Sequence, residues 1–332
     1  KPKASVDKIY ELIDADLTAA EAVLPRTWGA VYVGRLTWGA ARALHAKTYM
    51  MRSNWQAMYT ASTDVINSGL YNLSTPFNKV FREEGENCPE SILELQCTAN
   101  AQYPQSNEVG SQFAQVQGVR GSGQWDLGWG WNCPTQLLAD AFEAGDPRKN
   151  ETLLYFAKSE AEAATMQPNT PYNEKPIAAS NVVNKYYNKK AYTNPALRST
   201  YSKSGHWFNI RLIRYSDVLL MAAEAANELG NSAQALVYLE QVRARARAGN
   251  NAILPAVTTT VQSELRDAIR HERRVELAME FDRFYDLVRW NIDVETLHNA
   301  GKTAYQTKHR LLPLPQAQID RSNGVLIQNP NY

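Results

Sequence analysis

The sequence predicts a mainly α-helical protein in which helical hairpins form a scaffold around one long irregular insert. Three observations carry this. Apolar residues recur at helical spacing near the start and again after residue 215. The breaks inside each hairpin are only about two residues long, which makes the flanking helices antiparallel neighbours. From 74 to 206 the periodicity gives way to Gly, Asn, Gln, Ser, Pro and Tyr. The expected organisation is one unit over 1–332: a first hairpin region at 1–73, a ligand-binding insert at 74–206, and C-terminal hairpins with a tail at 207–332.

Residues 4–24 set Val6, Ile9, Ile13, Leu17, Ala20 and Leu24 on one stripe, with Ser5 as N-cap and Pro25 as stop. This amphipathic helix needs a partner. Helices over Leu36–Met51 and Asn54–Asn67 follow, separated by Arg52-Ser53. Downstream, Asp217–Leu229, a Gly230-Asn231 break and a helix from Ala233 repeat the format, with Ala222, Ala223, Ala225, Ala226, Ala233 and Ala235 where two helices must approach closely. Each hairpin is about 34 residues long, the length of a tetratricopeptide unit. Inside the insert, PTQLLADAFEAGD reads as a helix from Pro134 to about Gly145, with Asp140, Asp146 and Arg148 as charges at helix ends. Trp207 and Arg211 read as a helix entrance packed against the insert.

RHERRVELAMEFDRFYDLVRW, residues 270–290, reads as one continuous helix. Val275, Met279 and Trp290 share one side, while Leu277, Phe284 and Val288 lie opposite. A helix apolar all round is buried, and buried charges must be paired. Arg273–Glu276, Glu280–Arg283 and Asp286–Arg289 are spaced to pair along the helix. Ion pairing is therefore favoured over catalysis, and Glu276→Ala or Arg283→Ala is expected to break a buried pair.

Lys and Arg number 35 against 34 acidic residues, so no global field draws nucleic acid or anionic membrane. No apolar run approaches the ~20 residues of a membrane span. Cys88, Cys97 and Cys133 are too scattered for a zinc knuckle or a disulfide framework. The five His lack metal spacing, and Gly121-Ser122-Gly123 lacks the rest of a phosphate loop. No metal and no cofactor is expected.

The 270–290 stretch also resembles the C-terminal signature of the SusD/RagB family, with Glu272, Arg273, Glu276, Arg283, Asp286 and Arg289 as its charged positions. HWFNIRLIRYSDVLLMAAEAANELGN, VGRLTWGAARALHAKTYM, WNCPTQLLADAFEAGDPR and the ending KHRLLPLPQAQIDRSNGVLIQNPNY are similar to further family segments in the same order. Two departures stand out. Phe281 follows Glu280 where the family usually has Gly, and the chain looks like the C-terminal two-thirds of a longer family member. The resemblance implies a scaffold of tetratricopeptide hairpins at the surface of a Bacteroidetes outer membrane, held by an N-terminal lipid that is not in this chain. It further implies a SusC-like TonB-dependent transporter as partner and import of oligosaccharides or, in the RagB branch, peptides. Catalysis is not expected.

Apart from the resemblance, GSGQWDLGWGWNCPT has the chemistry of a sugar platform: sugar rings stack on aromatic faces while hydroxyls take amide and guanidinium hydrogen bonds. Gly128 and Gly130 would let the indoles of Trp125, Trp129 and Trp131 splay. Trp125 is the first expected glycan contact and Trp129 the second, with Trp131 mainly structural. Tyr103, Gln105, Asn107 and Arg120 are further candidates. The Trp cluster favours glycan over peptide. A helical glycoside hydrolase, the remaining alternative, would draw its acids from Glu108 or Asp126.

Overall fold

The computed structural model describes residues 2–99, 110–178 and 182–332. Helix follows helix where local sequence provides the caps. Ser5 accepts from Lys8 N at 3.3 Å and opens the helix Val6–Val23. Thr37 caps Trp38–Met51, and Asn54 caps Trp55–Asn67 after a turn in which Ser53 adopts φ 53°. The second hairpin joins Tyr215–Glu228 to Ser232–Arg247. Its turn needs Gly230 at φ 81°, a left-handed value that favours glycine, and Asn231 then caps the returning helix.

The helix Tyr215–Glu228 lies at the centre, packed against its hairpin partner, against both helices of the first hairpin and against Gln262–Glu276. Ala222, Ala223, Ala225 and Ala226 are all fully buried there, which lets these backbones approach. The helix is therefore buried along nearly its whole length. The first helix finds its partner in Trp38–Met51, clasped by a two-point Arg52–Asp14 pair at 2.8 and 2.7 Å and by Glu21 bonded to Arg42 and His45. No residue of it is buried.

The insert holds more order than its composition suggests. Strand β1 (Ser91–Leu95) pairs antiparallel with a later strand over Ile210–Arg214, and β2 (Leu153–Tyr155) pairs with β3 (Tyr186–Asn188). Ile210–Arg214, β4, runs straight into the central helix, so the entrance expected to be helical at Arg211 is a strand. Trp207 and Arg211 are buried there, as expected of a packed entrance. The helix expected over 134–145 shrinks to Gln136–Ala139, and a separate helix, Pro147–Thr152, starts with Asp146 as its cap.

The 270–290 stretch is not one helix. Gln262–Glu276 ends at Leu277, and Arg283–Arg289 begins a new helix after a turn with Met279 at φ 68° and Phe281 at φ 77°. The turn throws Phe281, Phe284 and Tyr285 outward; of the three apolar groups expected on the far side of a buried helix, Phe284 is on the surface, Val288 is half-buried and Leu277 is buried as expected. Left-handed backbone costs a non-glycine residue about 1–2 kcal/mol. The Gly that the family resemblance leads one to expect at Phe281 would meet this φ without strain. Phe281→Gly is expected to raise stability by about 1 kcal/mol in a urea titration; a lower midpoint would show that the contact of Phe281 with the Phe113 ring, centroids 5.7 Å apart, outweighs the strain.

The acids of this stretch are buried braces, but their partners are mostly elsewhere. Glu276 is fully buried and receives Arg148 at 3.1 Å, Arg214 at 3.1 Å and Arg245 at 2.5 Å. Glu272 pairs with Arg148 and, at 2.9 Å, with Arg243. Glu280 takes Lys190 at 2.5 Å and Arg214 at 2.7 Å. A second group links Arg273 to Asp217 at 2.8 Å and to Asp286 at 3.4 Å, and Arg289 to Glu224 at 2.6 Å. Of the three expected pairs along the helix, only Asp286–Arg289 forms, at 2.8 Å. Arg283 has no carboxylate partner among the described residues and lies 5.9 Å from the Trp290 ring, so no buried pair stands behind it. Arg148, expected as a helix-end charge, is fully buried at the heart of the network.

Candidate functional site

The Trp-rich segment is a turn laced to the chain before it. Gly128 N donates to Val119 O at 2.9 Å, Trp129 N to Gln115 O at 2.9 Å, Gly130 N to Gly118 O at 3.0 Å and Trp131 N to Val116 O at 2.9 Å. Both glycines are required. A Cβ on Gly128 would sit 2.0 Å from Gln115 O, and Gly130 adopts φ 68° beside the Arg120 side chain. The expectation that glycines aim the indoles therefore holds, with close backbone approach as the cause.

Their aim differs from the expected order. Trp125 is only 5% exposed, with its indole edge-on to Phe156 at 5.1 Å and near Tyr192, in an aromatic core with Val119, Leu154, Val182 and Tyr187. Its side chain is not presented to solvent, which corrects its place as first ligand contact. Trp129 and Trp131 are 37% and 60% exposed, with ring centroids 5.1 Å apart and planes 57° from parallel. The two rings form a faceted surface, so Trp131 is the more open of the pair and not a plug.

Beside them lies an open recess of about 730 Å³, lined by Arg120, Gly121, Asp126, Gly128, Trp129, Trp131 and Val183. That volume falls within the usual range for small-ligand sites. Arg120 is exposed, and its backbone carbonyl is fixed by Tyr187 Oη at 3.2 Å. Its guanidinium donates no hydrogen bond among the described residues. Asp126 stands at the rim in an exposed pair with Lys203 at 2.5 Å. The recess thus offers two apolar ring faces, a fork of donors and a carboxylate acceptor, the set that a polyhydroxylated ring requires. Tyr103, Gln105, Asn107 and Glu108 lie outside the described residues.

Sequence reasoning missed Trp131 as a surface group and Val183 altogether. The alternation of Trp with Gly signals a turn, but which indole turns inward depends on Phe156 and Tyr187, supplied by segments far along the chain. Among the described residues no cluster of His, Cys, Asp and Glu is placed to hold a metal, and no helix is long and apolar enough to cross a membrane.

Comparison with known proteins agrees with this architecture. A SusD-like protein, P2, of Formosa agariphila is 29% identical over 99% of the chain. The chain spans about two thirds of the length of such curated relatives, 66% of P2 and 64% of a second, P25. Among solved structures, a laminarin-binding SusD-like protein superposes with a TM-score of 0.78 at 26% identity, covering 99% of this chain and 70% of that one. Surface glycan-binding protein A from Bacteroides thetaiotaomicron, in complex with laminarihexaose, gives a TM-score of 0.79 at 23% identity, over 100% of this chain and 72% of that one. This second likeness speaks to the fold, a scaffold of tetratricopeptide-like hairpins. The SusD family model matches residues 89–332, which include β1, the Trp-bearing turn, the second hairpin and the ion-pair network; the chain belongs to the SusD family.

Proposed function

We propose that this chain is a non-catalytic glycan-binding protein that captures an oligosaccharide on the faceted surface of Trp129 and Trp131. The exposed indole pair beside an open, polar-rimmed recess is the observation that carries the reading. Sugar rings would stack on the indoles, with Arg120 donating to hydroxyls and Asp126 accepting from them. Family membership supports a place at the cell surface as a lipoprotein of the outer membrane, handing glycan to a SusC-like TonB-dependent transporter. The laminarin and laminarihexaose named for two of the solved structures make β-glucan oligosaccharides the first ligands to try.

Calorimetry with a panel of oligosaccharides and peptides, run alongside assays for product, tests the reading. Glycan binding without turnover is expected. Trp129→Ala and Trp131→Ala are each expected to weaken it by about 1–2 kcal/mol, with folding intact because both rings are exposed. Turnover above background would make the protein an enzyme, and peptide binding without glycan binding would place it with the RagB branch.

A further inference from the structure

A second recess, of about 470 Å³, shares no lining residue with the first; Arg82, Glu83, Glu151, Tyr172 and Lys189 are in its wall, with Lys79 at the edge. Arg82 and Lys189 are 5% and 3% exposed. Of the six buried arginines among the described residues (Arg82, Arg148, Arg211, Arg214, Arg243 and Arg273), Arg82 alone has no carboxylate within 4.0 Å. Its Nη1 is held by the carbonyls of Lys189 at 3.1 Å and Tyr192 at 3.0 Å. Its Nε is buried without a partner, and Nη2 takes no part in its hydrogen bonds, both of which run from Nη1. Nη2 is thus the donor that the guanidinium has left to offer, and a charge-assisted hydrogen bond from it suits a carboxylate or sulfate oxygen.

The nearby acids are already engaged. Glu83 accepts from Tyr172 Oη at 3.0 Å, Asn194 N at 2.9 Å and Trp207 Nε1 at 3.3 Å. Glu84 pairs with Lys79 at the exposed edge at 3.4 Å, and Glu151 pairs with Lys189 at 3.2 Å. Burial pulls the Arg82 guanidinium below its usual pKa. Burial does the same to the Lys189 ammonium; Glu151 opposes it, and the neighbouring Arg82 charge adds to it. Lys189 is paired with Glu151, which leaves the Arg82 guanidinium as the buried cation without a carboxylate, and an anion from outside would stabilise it.

We infer that this recess binds an oxyanion, a carboxylate or a sulfate ester, on the Arg82 guanidinium through its unbonded Nη2. That the oxyanion is carried on a sugar, as in a uronic acid or a sulfated glycan, rests on the glycan-binding reading. Anion binding itself does not.

Calorimetry at fixed ionic strength in chloride, with sodium sulfate, glucuronate and glucose as probes, tests the site. Sulfate or glucuronate is expected to bind and glucose not, and the two anions distinguish ester from carboxylate. Arg82→Met is expected to abolish the binding. Arg82 also holds two carbonyls, so Lys79→Glu at the exposed edge is the second variant, expected to weaken anion binding threefold or more, and it decides alone if Arg82→Met does not fold. Neither anion binding better than glucose, or anion binding unchanged in the folded variants, would overturn the proposal. Trp129→Ala should leave anion affinity unchanged while weakening neutral oligosaccharides, so failure of one site is not read as failure of the other.

Discussion

Glu276→Ala is expected to lower the unfolding free energy by about 3–5 kcal/mol, because it removes a fully buried carboxylate on which three arginines converge. The loss is larger than that of one ion pair: Arg148 and Arg214 are themselves fully buried and cannot turn to water. Glu272, Glu90 and Glu280 remain to hold them, which keeps the cost within this range. Burial alone would raise the Glu276 pKa, but Arg245, Arg214 and Arg148 overcome it and hold the carboxyl well below the usual range. Its contribution is therefore complete above the unfolded value of about 4.3 and is lost as pH falls through the folded value. Urea titrations of both proteins at pH 7 and at successively lower pH check this. The wild type should lose more stability than the variant on acidification below about pH 4. A urea midpoint at pH 7 equal to that of the wild type would contradict the brace. Oligosaccharide affinity of the folded variant should be unchanged, since Glu276 does not line the Trp129–Trp131 recess.

What could be read from the sequence was what neighbouring residues decide. Ser5, Asn54, Gly230 and Asn231 mark helix ends through contacts within three or four residues, and the two hairpins follow from them. That the acids of 270–290 are braces was also legible, because buried charge must be paired whatever the partner. The partners were not, since Arg148, Arg214 and Arg245 come from three separate segments. The break after Glu276 was hidden for a different reason. Met279 and Phe281 take left-handed φ without being glycine, so local propensity argues for continuing the helix. The pairing of β1 with β4 joins residues more than a hundred positions apart, and no local signal encodes it. At the site, Gly128 and Gly130 announced a turn, while the direction of each indole was fixed by distant aromatic residues.

Trp125→Ala is the second large effect, expected to cost about 3–5 kcal/mol of stability, in contrast to the ligand-specific loss that a stacking platform would show. The indole fills the space between Phe156 and Tyr192, and Phe156 in turn meets Tyr187 edge-on at 5.6 Å. Truncation leaves a void lined by rings that are themselves pinned: Tyr187 Oη to Arg120 O, and Tyr192 Oη between Glu174 and Arg198. Rings held at their polar ends cannot collapse into the gap, which places the cost near the upper part of the range. The Tyr187 bond also fixes the backbone under Arg120, so the cavity should loosen the recess beside Trp129 and Trp131. Thermal unfolding and calorimetry on the same samples separate the two effects. Trp125→Ala should lower the melting temperature and weaken oligosaccharide binding together, whereas Trp131→Ala should weaken binding alone. A Trp125→Ala protein with the wild-type melting temperature and reduced glycan affinity would return Trp125 to the ligand surface and refute its role as the core of the insert.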